Sequence, residues 1–212
     1  MKLLILGSTG RTGKLLTKLA IARDHQVTAM IRDKSQAILP KVKHLEGSLT
    51  NEQLLHEALQ GADAVVVALN INRTSDNPFA KVTSPLTLIS DSVGALIPAM
   101  EQNKVKRIIS ISAYGVGDTF KNMPLVARLL LRYSNIWKAY EDHHRQEQLL
   151  RQSKLDWTIV RPVMLNNKDT VDYKTSVGKP RGSSISRKGV ATFVLDALES
   201  EKYVGDCVTL FS

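Results

Sequence analysis

The stretch ILGSTGRTGK, residues 5–14, decides the fold. It closes an apolar run, Leu3 to Leu6, that is too short for a secretory signal or a membrane span and fits a buried first strand. Three glycines then follow at intervals of three, Gly7, Gly10 and Gly13, and open a segment of helical periodicity. A glycine turn between strand and helix lets the backbone approach a pyrophosphate and aims the helix N-terminal N–H groups at its oxygens. The spacing G-x-x-G-x-x-G is one residue longer before its second glycine than the common dinucleotide fingerprint, so the triplet alone also suits a strand-to-helix turn without a ligand. If a dinucleotide is held, Gly7, Ser8, Thr9, Gly10, Arg11, Thr12 and Gly13 form its cradle.

Outward from this turn the chain alternates. Apolar, β-rich runs at 2–6, 26–31, 42–46, 64–69, 107–111, 157–161 and 207–211 predict strands. Helical periodicity at 13–23, 51–60, 86–102, 140–152 and 187–198 predicts the helices between them. Strand then helix, repeated, implies a parallel sheet covered on both faces. With right-handed crossovers this is an α/β fold, a Rossmann-like doubly wound parallel sheet, forming a single domain over residues 1–212. Its ligand crevice lies at the carboxyl ends of the strands.

Composition narrows the function. The one cysteine, Cys207, excludes an intramolecular disulfide, and no Cys/His cluster has metal-ligand spacing. The longest apolar stretch, Ala62 to Leu69, cannot cross a bilayer, so a cytoplasmic protein with no membrane partner is expected. The net charge of +9 is concentrated late, where Lys168, Lys174, Lys179, Arg181, Arg187 and Lys188 face only Asp169 and Asp172. Such an excess suits an anionic cofactor or acidic substrate as well as solvated surface. Without a recognition-helix pattern, and with only two Trp, five Tyr and four Phe, no nucleic-acid partner is expected.

The strand ends supply the candidate contacts. Arg32 closes the second strand, with Lys34 close by and Arg11 in the glycine turn, where a cofactor lacking the 2′-phosphate is usually met by a carboxylate. Guanidinium groups clamp phosphate bidentately, so NADP(H) is expected over NAD(H), with Asp33 as the residue that would argue otherwise. Ser48 and Leu49 follow the third strand beside the adenine, and Ala68, Leu69 and Asn70 follow the fourth along the middle of the cofactor. The long connections 72–85, 115–124 and 165–184 are the candidate substrate-pocket loops.

The segments ILGSTGRTG, MIRDKSQ, DAVVVAL, RIISISAYGVGD, LDWTIVRP and ISRKGVATFVLDALESEKYVGDCVTL, in this order, resemble the atypical short-chain dehydrogenase/reductase family, in its NAD(P)H-binding branch. Within it, SISAYGVGD followed by YEDHHRQEQLLRQSKLDW is similar to the biliverdin-IXβ, or flavin, reductases. The resemblance implies hydride transfer to a planar acceptor such as a bilin, FMN, FAD or riboflavin. It places Ser112 nearest the transfer point, Tyr114 on the pocket wall, His143 in a subfamily Asp-His pair, and Pro162, Val163 and Met164 beside the nicotinamide, while Arg161 supports the fold. The chain departs from the commonest dehydrogenases, which pair a tyrosine with a lysine four residues on; Tyr140 is followed instead by His144. A monomer or homodimer is expected. Two other classes stay open. One is an NADP(H)-binding redox sensor without catalysis. The other is an interaction protein using PLVARLLLRYSNIWKAYE, residues 124–141, against a partner or an anionic membrane, although its apolar residues are expected to pack against the domain.

Overall fold

Leu3, Leu4, Ile5 and Leu6 are all buried, which an alternating strand achieves only when both faces of its sheet are covered. In the computed structural model, which describes residues 1–33, 35 and 39–212, they belong to β1 (Lys2–Leu6). Lys34, named above beside Arg32, lies outside the described residues. The chain continues through α1 (Arg11–Ala22), β2 (Gln26–Ile31), β3 (Val42–Glu46), α2 (Glu52–Leu59), β4 (Ala64–Val67), α3 (Leu88–Gln102) and β5 (Arg107–Ile111). A 3-10 segment (Gly117–Asn122) leads to α4 (Leu125–Arg132), α5 (Ile136–Gln152) and β6 (Asp156–Pro162). Three short strands, β7 (Met164–Asn166), β8 (Lys174–Ser176) and β9 (Ser184–Ser186), precede α6 (Arg187–Glu199) and β10 (Asp206–Phe211).

The main sheet has the order β3-β2-β1-β4-β5-β6-β10-β8, parallel throughout except that β8 runs antiparallel to β10. Residues alternate between two apolar layers. Leu3 and Ile5 pack with Leu16 and Ala20 of α1 and with Val190 and Val194 of α6. Leu4 and Leu6 pack with Leu55 of α2, Val93 and Leu96 of α3 and Leu150 of α5. The strand order reverses between β1 and β4, and that switch point opens the crevice.

Side chains fix the helices on this frame. Asn51 caps α2 by accepting from the Leu54 N–H, and Ser186 caps α6 by accepting from the Gly189 N–H. Thr87 offers α3 no side-chain cap; buried Asp142 reaches across from α5 and accepts from the N–H groups of Ile89 (2.7 Å) and Ser90 (3.2 Å). This contact pins α5 onto α3.

The predicted strands and helices are all present, with shifted ends: β4 stops at Val67 rather than Leu69, and α5 starts at Ile136 rather than Tyr140. The three-residue strands β7, β8 and β9, in and at the ends of the connection 165–184, are too short to show a period in the sequence. One expectation is overturned in part. Of the stretch 124–141, Ala139 is buried as expected and Ala127 and Leu131 are half-buried, but no residue of α4 is fully buried, and Leu125, Val126, Leu129 and Leu130 face outward instead of packing against the domain.

Candidate active site

The three glycines of the turn do different work. Gly7 has φ +83°, and a Cβ there would lie 2.5 Å from the Ala68 carbonyl oxygen; at Gly13 it would lie 2.0 Å from the Gly7 oxygen. These two let α1 and β4 close on the turn. Gly10 is different, with an ordinary extended backbone (φ −71°, ψ 165°) and only the Gly7 oxygen at 3.3 Å from an added Cβ. It caps α1 without a side chain, and no acidic residue stands in the first helical turn. The unpaired N–H groups there remain for an anion. This helix start, with no side-chain cap and no acidic residue in its own first turn, fits a dinucleotide pyrophosphate.

A cleft of about 880 Å³ opens beside the turn. Of the residues expected at the cofactor, Gly7, Thr9, Gly10, Arg11, Thr12, Arg32, Leu49, Ala68, Leu69 and Asn70 line it. Others lie outside its lining. Ser8 is wholly buried beneath the turn, and Gly13 packs on Gly7. The Ser48 hydroxyl pairs with that of Thr50 at 2.9 Å. The Pro162 carbonyl accepts from the Tyr114 N–H, Val163 is buried on β10, and Met164 is exposed, whereas the next residue, Leu165, does reach the cleft. Asp33 accepts from the Ser35 N–H at 2.8 Å and, unlike Arg32 and Ser35, is not part of the cleft wall.

The cleft also holds residues for which the sequence offered no role. Asp76, from loop 72–85, makes a bidentate ion pair with Arg11 at 2.7 and 2.8 Å. The Arg11 bonds hold the Asp76 carboxyl below its ordinary pKa, and Arg187 and Arg73 add to the effect. A carboxylate therefore occupies the guanidinium expected to meet the cofactor's phosphates. Asp76→Asn should free Arg11 and tighten NADPH binding modestly, by about threefold, since exposed ion pairs are weak. A titration showing weaker binding would instead make Asp76 a support of the cofactor loop.

The proposed transfer residues form a polar layer that is not part of this wall. Ser112 is buried, and its hydroxyl donates to Glu147 Oε1 at 2.7 Å. Buried Arg161 donates to the same carboxylate through Nε (2.9 Å) and Nη2, and Nη2 also meets Asp118 at 2.7 Å. Burial opposes the Arg161 charge, but these bonds outweigh it and raise its pKa. Arg161 thus has the supporting role expected of it. Tyr140 donates to the Tyr114 carbonyl at 3.2 Å, and burial pushes its phenol up to about 12. Tyr114 packs partly buried against the α1/α6 layer.

His143 is buried with Nδ1 unpartnered, and burial lowers it to about 4 against the opposing charges of Glu147 and Asp142. It stays neutral where an unfolded-chain histidine, near pH 6.5, begins to take up protons. Its contribution to stability is therefore complete above about pH 6.5 and is lost as the pH falls toward 4. Urea midpoints should decline across that window, and His143→Leu should flatten the decline. An equal decline in the variant would remove His143 as its cause.

Residues 7–201 match the NAD(P)H-binding family model. An uncharacterized protein of Bacillus subtilis, YwnB, is 25% identical over all of this chain and 99% of its own length. A Pestalotiopsis microspora oxidoreductase is 27% identical over 92% of this chain and 78% of its own. Among solved structures, an Escherichia coli O157:H7 protein described as an anaerobilin reductase, ChuY, superposes with TM-score 0.82 at 18% identity, covering 100% of this chain and 97% of that one. A Veillonella parvula short-chain dehydrogenase/reductase in complex with NADP superposes with TM-score 0.75 at 21% identity, covering 100% and 94%.

Proposed function

The chain belongs to the NAD(P)H-binding family, and from this premise we propose that it is an NADPH-dependent reductase passing hydride to a flavin, bilin or similar conjugated ring acceptor. The observation that carries the reading is the state of Tyr140, whose hydroxyl is spent on a backbone carbonyl and which has His144, not lysine, four residues on. A carbonyl reductase needs an acidic group held at the reacting oxygen; a conjugated ring held flat needs chiefly orientation and can take its proton from water. When bound, the cofactor supplies the hydride. The chain's own part is to seat the pyrophosphate on the first turn of α1, to meet the 2′-phosphate with Arg32, and to present Leu69, Asn70 and Leu165 along the cleft. The description of the superposable E. coli protein as an anaerobilin reductase is in keeping with a tetrapyrrole-like acceptor.

NADPH oxidation at the nicotinamide absorbance, with FMN, riboflavin, biliverdin and a quinone offered in turn, tests the reading. Arg32→Ala should cost about 1.5 to 3 kcal/mol of NADPH binding and leave NADH binding nearly unchanged. Equal losses for the two cofactors would refute the 2′-phosphate assignment.

A second reading is an NADP(H) sensor without turnover. It is favoured by the commitment of Ser112 to Glu147 and by the burial of His143, which take two of the three candidate catalytic residues out of the cleft wall. Tight NADPH binding with no oxidation by any ring acceptor would select it.

A further inference from the structure

We propose that the outer face of α4 docks the protein onto an anionic phospholipid surface. Leu125, Val126, Leu129 and Leu130 are 48 to 68% exposed, and with Tyr133 they follow the spacing i, i+1, i+4, i+5, i+8 that makes one continuous stripe. Asn135, at the joint between α4 and α5, extends the patch: its N–H donates to the Pro78 carbonyl at 2.9 Å and its side-chain amide to the Phe79 carbonyl at 2.9 Å. Phe79, itself exposed, is thereby held beside the helix. A contiguous apolar patch of this kind on a folded domain marks a docking surface.

Charge identifies the occupant. From Thr119 to Tyr140 there is no acidic residue, while the same segment carries Lys121, Arg128, Arg132 and Lys138. The Arg132 guanidinium lies 5.4 Å from the centre of the Trp137 ring, which gives it a fixed seat at the edge. Two copies paired through this face would oppose cations with cations and no carboxylate between them. The stripe protrudes from a helix of about two turns, the form of an interfacial helix whose apolar residues enter the headgroup boundary while Lys, Arg and Tyr stay at its level. The net charge of +9 adds attraction at longer range. No helix among the described residues is long and apolar enough to cross a membrane, so the contact is peripheral. The expectation of no membrane partner rests on the lack of a spanning stretch, which a peripheral contact does not need, and the outward-facing residues of α4 supply such a contact.

Sedimentation of the full chain with phosphatidylcholine vesicles containing about 40% phosphatidylglycerol, and with phosphatidylcholine alone, tests this. The wild type should bind the anionic vesicles and not the neutral ones. The double variant Leu125→Gln/Leu130→Gln removes side chains that are already exposed, so its circular dichroism should match the wild type while vesicle affinity falls by about tenfold or more. Equal binding by wild type and variant would reduce the effect to diffuse charge and overturn the proposal. So would absence of vesicle binding, as an acidic protein occupant would give, or a wild-type dimer that becomes monomeric in the variant. The probe needs no cofactor, so failure here leaves the reductase reading standing.

Discussion

Gly13→Ala should lose about 3 kcal/mol or more of folding stability in urea denaturation. The added Cβ would sit 2.0 Å from the Gly7 oxygen, 2.8 Å from the Gly7 carbonyl carbon and 3.0 Å from the Ser8 Cα. All three are backbone atoms of the turn, so no rotamer change relieves the clash. Relief requires α1 to move off β1, and Leu16 and Ala20 would lose their place in the layer shared with Leu3, Ile5 and α6. A variant as stable as wild type would mean that the close approach of helix and turn is not needed.

Glu147→Ala should be comparably damaging, at about 3 to 5 kcal/mol, because it leaves a buried guanidinium with one carboxylate fewer. Glu147 on α5 receives Arg161 from β6 and Ser112 from just after β5, so one carboxylate ties the helix to two neighbouring strand ends. Asp118, much more exposed, is the only other carboxylate bonded to Arg161 among the described residues. Glu147→Gln keeps the shape and one acceptor and should fall between wild type and alanine in denaturant midpoint. A loss below about 1 kcal/mol for the alanine variant would place the anchoring of Arg161 elsewhere.

The sheet was legible because parallel strands buried on both faces appear as unbroken apolar runs, as in Leu3 to Leu6 and Ala64 to Val67. Periodicity says that a helix has an apolar face but not what covers it. Hence α5 buries its apolar face on the sheet, whereas Leu125, Val126, Leu129 and Leu130 of α4 face outward.

The site divides in the same way. The glycine turn, Arg32 and the residues after β4 follow from a topological rule that places ligands at strand ends, and apart from Ser8 and Gly13 they line the cleft. Arg11 and Asp76 stand 65 residues apart, and only the folding of loop 72–85 across the cleft brings them together. For Ser112 the position just past β5 was readable but not the direction of its hydroxyl, which the buried Glu147 determines. In the Asp-His pair, Asp142 serves as the remote cap of α3 and His143 is enclosed in the interior, both as consequences of α5 packing on α3.

A fluorescence titration of NADPH and NADH against the wild type and Gly10→Val is the most direct test of a dinucleotide site at the glycine turn. Gly10 lines the cleft, its backbone is in a region open to any residue, and an added Cβ meets only the Gly7 oxygen at 3.3 Å, so the variant should fold with a small local shift while its branched side chain takes the space of the pyrophosphate. The account predicts saturable wild-type binding, tighter for NADPH than for NADH, and none by the folded variant. A folded Gly10→Val that binds NADPH as the wild type does would contradict it.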